Sequence, residues 1–440
     1  MPRTVLICKS TTSIAGGVQT WLQQLSAGLD RRRWRPIVAL LRGGAANDAV
    51  AYRAAYPELE TVEIDGRGLD AAARVRAVER CIRKVRPDIF VPLTAVDAHY
   101  AACAAKRSGI LPRYLMTIRG NVAAQIADAA DAFPFVDLAV CPGRLTCELL
   151  AWSGLPQELI QHVPNGAALP LMSSPARPPG APLRIGYVGR LSRGDKRVTD
   201  LIPLSQHLRD SGVPHQLTVV GEGPAGADLR AALGGAAEFR GRMTAQEIYR
   251  EIYPHLDVLL LFSASEAFGI AAIEAMLHGV VPVSSRYLGH AAEGFLQHGR
   301  TAQLFDIGDA AEAAAQVATL AADPVLLQRL SAQARETAGR YSWPACVEGW
   351  TAALDRCMEL PRRCGEAQEV FRPVSRGRLE ALGLPAAVVD AARQLRYSLL
   401  GVPEGMRGGE EWPWISRRHA PERLSAIETA ACNLDVGTRA

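Results

Sequence analysis

Two glutamates, Glu266 and Glu274, stand eight positions apart in the stretch SEAFGIAAIEAMLHGVVPV, Ser265 to Val283. An apolar run, Val258 to Leu261, ends just before it, and Gly269 stands where a helix opens. The first N–H groups of a helix have no partner within it and carry about half a positive charge, so they can seat a phosphate. Glycine at that point lets the anion approach the backbone closely. A carboxylate repels a diphosphate but accepts protons from hydroxyl groups. A phosphate seat with two hydroxyl-seeking carboxylates describes a site for a sugar nucleotide. The plainer alternative is a strand–loop–helix with one solvated glutamate at the helix start and another on its exposed face.

Cations recur in YVGRLSRGDKRVTDLI, Tyr187 to Ile202, again after an apolar run. Arg190 can grip two phosphate oxygens at once, and Lys196 or its neighbour Arg197 adds a point charge. Solvated basic turns are the competing explanation. Gly16-Gly17-Val18-Gln19 opens a helix after the first apolar run and permits close backbone approach. A structural tight turn explains that pair equally well. No complete G-x-G-x-x-G is present there, which argues against a dinucleotide-binding domain.

These residues need a scaffold. Val5–Cys8, Pro36–Leu41, Thr61–Ile64, Asp88–Leu93, Tyr114–Ile118 and Leu138–Cys141 read as buried strands separated by amphipathic stretches such as Val18–Leu29 and Leu69–Val85. Four prolines in Leu171–Pro182 mark a linker. A second series follows: Leu183–Val188, Gln216–Val220, Ala237–Arg240, Val258–Leu261 and Val280–Ser284. The expectation is α/β, with two Rossmann-like parallel-sheet domains facing an interdomain cleft. Residues 1–170 form the first and 183–342 the second, and 361–440 form an appendage without an assigned role, rich in Pro, Gly and Arg and with little periodicity beyond Leu379–Leu400.

Composition narrows the class. The chain has 440 residues, 48% of them hydrophobic, so packed cores are expected and general disorder is excluded. A net charge of +4 requires no nucleic acid. Nine cysteines are scattered without the spacing of a zinc site or a disulfide framework. The opening MPRTVLICK has too short an apolar run for a signal peptide, and no stretch reaches the length of a spanning helix. A cytoplasmic location is expected. Arg31-Arg32-Arg33-Trp34-Arg35 and the trio Arg76, Arg80 and Arg83 leave room for peripheral contact with the inner face of a membrane, against the alternative of a solvated surface.

Taken together, the Glu266–Glu274 stretch resembles the Glu-x7-Glu signature of retaining glycosyltransferases of the family 4 type (glycosyl transferases group 1), which have the GT-B fold. The resemblance implies that Glu274 binds the ribose hydroxyls and Glu266 the transferred sugar. Phe268, Gly269 and Ile270 fall where the backbone approaches the diphosphate. Arg190 and Lys196 resemble the family's Gly-Arg-Leu…Lys element, with one additional residue between them. Gly16 and Gly17 match a glycine pair facing the donor, and Gly241, Arg242 and Met243 lie where the family lines its nucleobase pocket. Val163-Pro164-Asn165-Gly166 and Val220-Gly221-Glu222-Gly223-Pro224 are weaker matches. Arg119 stands where the family often has a histidine that contacts the donor sugar. Arginine accepts no proton at neutral pH but pairs with an anion. His290 occupies the second position of a turn where the family often has two glycines. Tyr341-Ser342-Trp343 opens a helix, 343–358, that crosses back onto the first domain in the GT-B fold, so the resemblance covers about residues 1–358.

The implied reaction is transfer of a sugar from a nucleoside diphosphate, with retention of configuration, to an unidentified saccharide, lipid-linked or small-molecule acceptor. Arg190, Lys196 and Glu266 would be catalytic, and neither a cofactor nor a metal is expected. A sugar-nucleotide epimerase of the same fold and a non-catalytic sugar-nucleotide-binding protein are the alternatives.

Overall fold

The computed structural model describes residues 1–9, 16–42, 49–66, 69, 71–93, 96–170, 177, 178, 180–365, a few positions between 384 and 400, and 419–437. Most of the linker and of Leu379–Leu400 lies outside them. The chain divides into two compact units.

The first unit is built on seven strands: β1 (Arg3–Lys9), β2 (Trp34–Arg42), β3 (Thr61–Asp65), β4 (Ile89–Leu93), β5 (Arg113–Met116), β6 (Leu138–Cys141) and β7 (Ile160–His162). Their order is β3-β2-β1-β4-β5-β6-β7, and every pairing is parallel. A parallel sheet needs crossover connections, and helices such as Gly17–Gly28 and Ala71–Val85 supply them. This covers both faces, which is why the strands read as continuous apolar runs: Val5, Leu6, Ile7 and Cys8 are all buried. Trp34, inside the basic run, opens β2 and is buried, while its neighbours Arg33 and Arg35 pair with Asp355 and Glu60.

The helix Trp343–Glu359 joins this unit from Val347 onward. Trp350 packs on Trp21 with ring centres 4.9 Å apart, and Arg113 donates to the Met358 carbonyl at 2.8 Å. Beyond it, Arg363 donates its backbone N–H to Asp137, whose carboxylate also holds the buried Lys106.

The second unit has six strands: β8 (Leu183–Val188), β9 (His215–Val220), β10 (Ala237–Gly241), β11 (Val258–Leu261), β12 (Val281–Ser285) and β13 (Gln303–Phe305). They follow the order β10-β9-β8-β11-β12-β13, again all parallel. Leu183, Ile185, Val219, Leu260 and Val283 form the core under one face, and Leu259, Leu261, Ile273 and Met276 that under the other. Chain direction of travel reverses between β8 and β11. In open parallel sheets that switch point, beyond the carboxyl ends of the strands, is where ligands bind.

The eleven expected strands all form. β7 and β13 were not expected; each is three residues long and shows too little alternation to stand out.

Candidate active site

Both loops at the switch point of the second unit carry the expected residues. After β8 the chain turns at Gly189 and runs through Arg190 to Lys196, and after β11 it passes Ser263 and Glu266 to Gly269. The loops are tied together by main chain, since Ala264 donates to the Asp195 carbonyl at 2.9 Å. That bond sets Lys196 beside Glu266. The Lys196 ammonium donates to Glu266 Oε1, which also accepts from the Ser263 hydroxyl at 2.6 Å. Arg197 has a left-handed backbone, φ +45°, and turns to Asp200 at 2.9 Å. Of the two adjacent cations, Lys196 is therefore the one on the glutamate.

Arg190 is three-fifths exposed and pairs with Asp195 at 2.5 Å. Its loop is held from behind by the glycine turn 221–223. Gly189 donates to Val220 at 3.0 Å, and Leu191 donates to Glu222 at 2.9 Å. A methyl group on Gly221 would lie 1.9 Å from the Gly189 carbonyl oxygen, so only glycine allows this approach. The Val220–Pro224 motif thus has a structural account as the backing of the cationic loop.

Gly269, at φ +79°, caps the helix Ile270–Leu277. A Cβ there would come within 2.7 Å of the Tyr287 hydroxyl. That hydroxyl is buried and has no hydrogen-bond partner among the described residues. Phe268 is buried against Phe295 and Tyr341, which fixes the entry of the chain into the helix. The backbone at Phe268, Gly269 and Ile270 therefore meets the helix N-terminus on a rigid aromatic base.

Glu274, half-buried on the second turn, has both oxygens engaged. Oε1 accepts from the Tyr249 hydroxyl at 2.5 Å and Oε2 from the Tyr253 hydroxyl at 3.0 Å. Burial pushes its carboxyl up to about 7, while the two phenol bonds pull the other way. The sequence reading missed both tyrosines. Their four-residue spacing puts them on one helix face, a pattern that reads as core packing.

Gly241, Arg242 and Met243 follow at the end of β10. Gly221 donates to the Gly241 carbonyl at 2.8 Å, Arg242 faces Glu222 at 3.3 Å, and Met243 packs on the apolar core. The turn at Gly289-His290 is occupied by an acid from far along the chain. Asp435, on the helix Pro421–Gly437, accepts the N–H groups of Gly289 and Ala292, each at 2.9 Å. His290 Nδ1 lies 2.9 Å from the Tyr287 carbonyl and 3.8 Å from the Asp435 carboxylate. Asn165 and Gly166 lead into Ala167, which pairs with Ser342.

Gly16, Gly17 and Arg119 belong to the first unit. Gly16 caps the helix Gly17–Gly28 after β1, and the Arg119 guanidinium lies 4.2 Å over the Trp21 ring, a cation–π contact. Lys9, missed in the sequence, ends β1. It is buried, with its nitrogen 4.9 Å from the Tyr52 ring centre, and burial lowers it to about 7. No helix among the described residues is long and apolar enough to cross a membrane.

Comparison with known proteins places this geometry in context. Residues 182–323 match the family described as glycosyl transferases group 1. Sulfoquinovosyl transferase SQD2 of Arabidopsis thaliana is 30% identical over 185 residues, covering 40% of this chain and 34% of its own. The chain spans about a third of the length of the curated relatives it matches. The crystal structure of Anabaena HepE in complex with UDP-glucose superposes with a TM-score of 0.64 at 17% identity, over 80% of this chain and 99% of that one. Sucrose-phosphate synthase from Thermosynechococcus elongatus gives 0.67 at 17% identity, over 81% of this chain and 99% of its own. At such identities the likeness concerns the fold. The two parallel-sheet units are thus those of a GT-B fold, and the residues that match the glycosyl transferases group 1 model lie in the second.

Proposed function

We propose that this protein is a glycosyltransferase that moves a sugar from a nucleoside diphosphate to an acceptor, with retention of anomeric configuration and without a metal. The observation that carries the reading is the meeting of Lys196 with Glu266 at the switch point of the group 1 domain, one turn before the helix that bears Glu274. In glycosyl transfer the leaving diphosphate gains negative charge. Arg190, Lys196 and the N–H groups at Gly269 and Ile270 supply fixed positive charge to it, and such groups need no reorganisation as the bond breaks. Glu266 holds the transferred sugar and Glu274 the ribose, since a carboxylate accepts from hydroxyls. Gly241, Arg242 and Met243 flank the base. Gly16, Gly17 and Arg119 enter as donor ligands carried over by resemblance. Retention by this route leaves the donor phosphate to take the acceptor's proton, because Glu266 is engaged with the hydroxyls of the sugar.

The HepE complexes contain UDP and glucose, so UDP-glucose is the first donor to test, with GDP- and ADP-sugars beside it. Thermal shift measures the outcome directly. A ligand at 100 times its dissociation constant adds about 2.7 kcal/mol to the folded state. Stabilisation by one nucleoside diphosphate series, lost in Glu274→Gln, is expected. No shift with any of the three rejects the reading. Turnover of the donor sugar's configuration without acceptor would instead identify an epimerase.

A further inference from the structure

The ribose role of Glu274, on which this inference rests, leaves two tyrosines unexplained. Tyr249 and Tyr253 come from a segment of changing helical pitch. An α turn, Ala245–Glu247, is fixed at its start by the reciprocal Thr244–Glu247 capping box. It widens to a π turn at Ile248–Ile252 and tightens to a 3-10 turn at Tyr253–His255. Such π turns recur at functional sites. Both rings are buried and stack near His278, 5.7 Å from Tyr249 and 5.2 Å from Tyr253, while His278 Nδ1 lies 2.8 Å from the Glu274 carbonyl.

A phenol has one proton to give, and each of these gives it to a different oxygen of Glu274. That fixes the plane of the carboxylate and leaves acceptor capacity on both oxygens. We propose that Tyr249 and Tyr253 are positioning residues that hold Glu274 as a two-point acceptor for the vicinal hydroxyls of ribose, and so make the protein prefer ribonucleotide over 2′-deoxyribonucleotide donors. A site built to bond a hydroxyl rejects the analogue that lacks it far more strongly than an apolar pocket rejects a missing methylene.

The same geometry predicts a pH signature. The titratable or charged groups around Glu274 are Tyr249 and Tyr253 from the pitch-changing segment, His278 from its own helix, and Arg335, whose Nη2 lies 3.4 Å from the His278 carbonyl. Burial raises the Glu274 carboxyl, and the phenols oppose that rise. A protonated carboxyl accepts fewer hydroxyl protons. Ribonucleotide affinity therefore weakens as pH falls through the region of about 7, and removing one phenol moves that midpoint upward.

The test measures binding of UDP, GDP and ADP and their 2′-deoxy counterparts by calorimetry from mildly acid to mildly alkaline pH. The proteins are the wild type, Tyr249→Phe, Tyr253→Phe and Glu274→Gln. Phenylalanine keeps each ring in its stack, and circular dichroism checks the fold. Each Phe variant should lose about tenfold in ribonucleotide affinity at neutral pH, the low end for a hydrogen bond to a charged group. It should bind the deoxy form almost as the wild type does and recover ribonucleotide affinity at alkaline pH. Phe variants with the wild-type ribose preference and pH profile overturn the proposal, as does an equal loss on both nucleotides at every pH. Should Tyr253→Phe not fold, Tyr249→Phe alone decides. If Glu274→Gln binds ribonucleotide like the wild type, the ribose reading itself fails. If only Glu274→Gln loses the preference, that reading stands and the tyrosine proposal falls.

Discussion

Replacing Lys196 by alanine separates catalysis from folding more cleanly than any other single change. The Lys196 and Glu266 side chains are half-buried, 25% and 17% exposed, so water screens their attraction only in part, and the Ser263 hydroxyl still donates to Glu266 when the lysine is removed. A well-made exposed pair contributes about 1 kcal/mol, and this one is expected to lie near or slightly above that. For a unit of about 150–250 residues, the size of each of the two here, a loss of 1 kcal/mol lowers Tm by about 2–4 °C. The catalytic cost is larger. Removing one preorganised group that stabilises developing charge costs about 2.7–4 kcal/mol, or about 100- to 1,000-fold in rate. Lys196→Ala should therefore melt within a few degrees of the wild type yet release nucleoside diphosphate from its sugar donor at least about 100-fold more slowly. The assay follows that release by a coupled enzyme, with melting recorded on the same preparation. Glu266→Gln closes the cycle. Because the two side chains touch, their effects should be non-additive by at least about 0.5 kcal/mol. An activity within a few-fold of the wild type refutes the reasoning, and so does a loss that tracks the unfolded fraction.

Two further outcomes follow from the packing. Gly269→Ala places a side chain in a left-handed backbone and against the Tyr287 hydroxyl, so the second unit should lose at least about 1–2 kcal/mol in urea unfolding. Tyr287→Phe removes a buried hydroxyl that has no described partner; it should be neutral or stabilising by about 1 kcal/mol, and in the double variant it should recover part of the Gly269→Ala loss. Asp435→Ala bares the N–H groups of Gly289 and Ala292 and should cost about 1.5–3 kcal/mol, read from the same unfolding curves; an unchanged midpoint would show that water replaces the carboxylate without penalty.

Most of the scaffold is legible in the sequence because central strands of a parallel sheet covered on both faces leave apolar runs such as Val5–Cys8 and Val258–Leu261, while edge strands such as Thr61–Ile64 and Ala237–Arg240 are legible from their place in the alternation with helices. β7 and β13 are too short for that signal. The loops of Arg190 and Glu266 are legible because each directly follows such a run. What they touch is harder to read. The choice between Lys196 and Arg197 depends on one left-handed residue, which side-chain type does not reveal. Tyr249 and Tyr253 have the spacing of a buried helix face, so their chemistry is hidden behind their packing. Asp435 meets Gly289 from 146 residues away, a contact that no local pattern encodes. Trp34 sits among four arginines yet is 1% exposed, because as the first residue of β2 it faces the core.

Arg190 leans on Asp195 and Lys196 on Glu266. In the reading proposed above, an incoming diphosphate competes with the protein's own acids rather than with dissolved anions. Binding then becomes an exchange of partners: the cations pass to the phosphates, and Glu266 is released toward the sugar at the same moment. Recognition of the two halves of the ligand would be mechanically linked, so a bare diphosphate and a bare sugar should each bind worse than their separate contacts suggest.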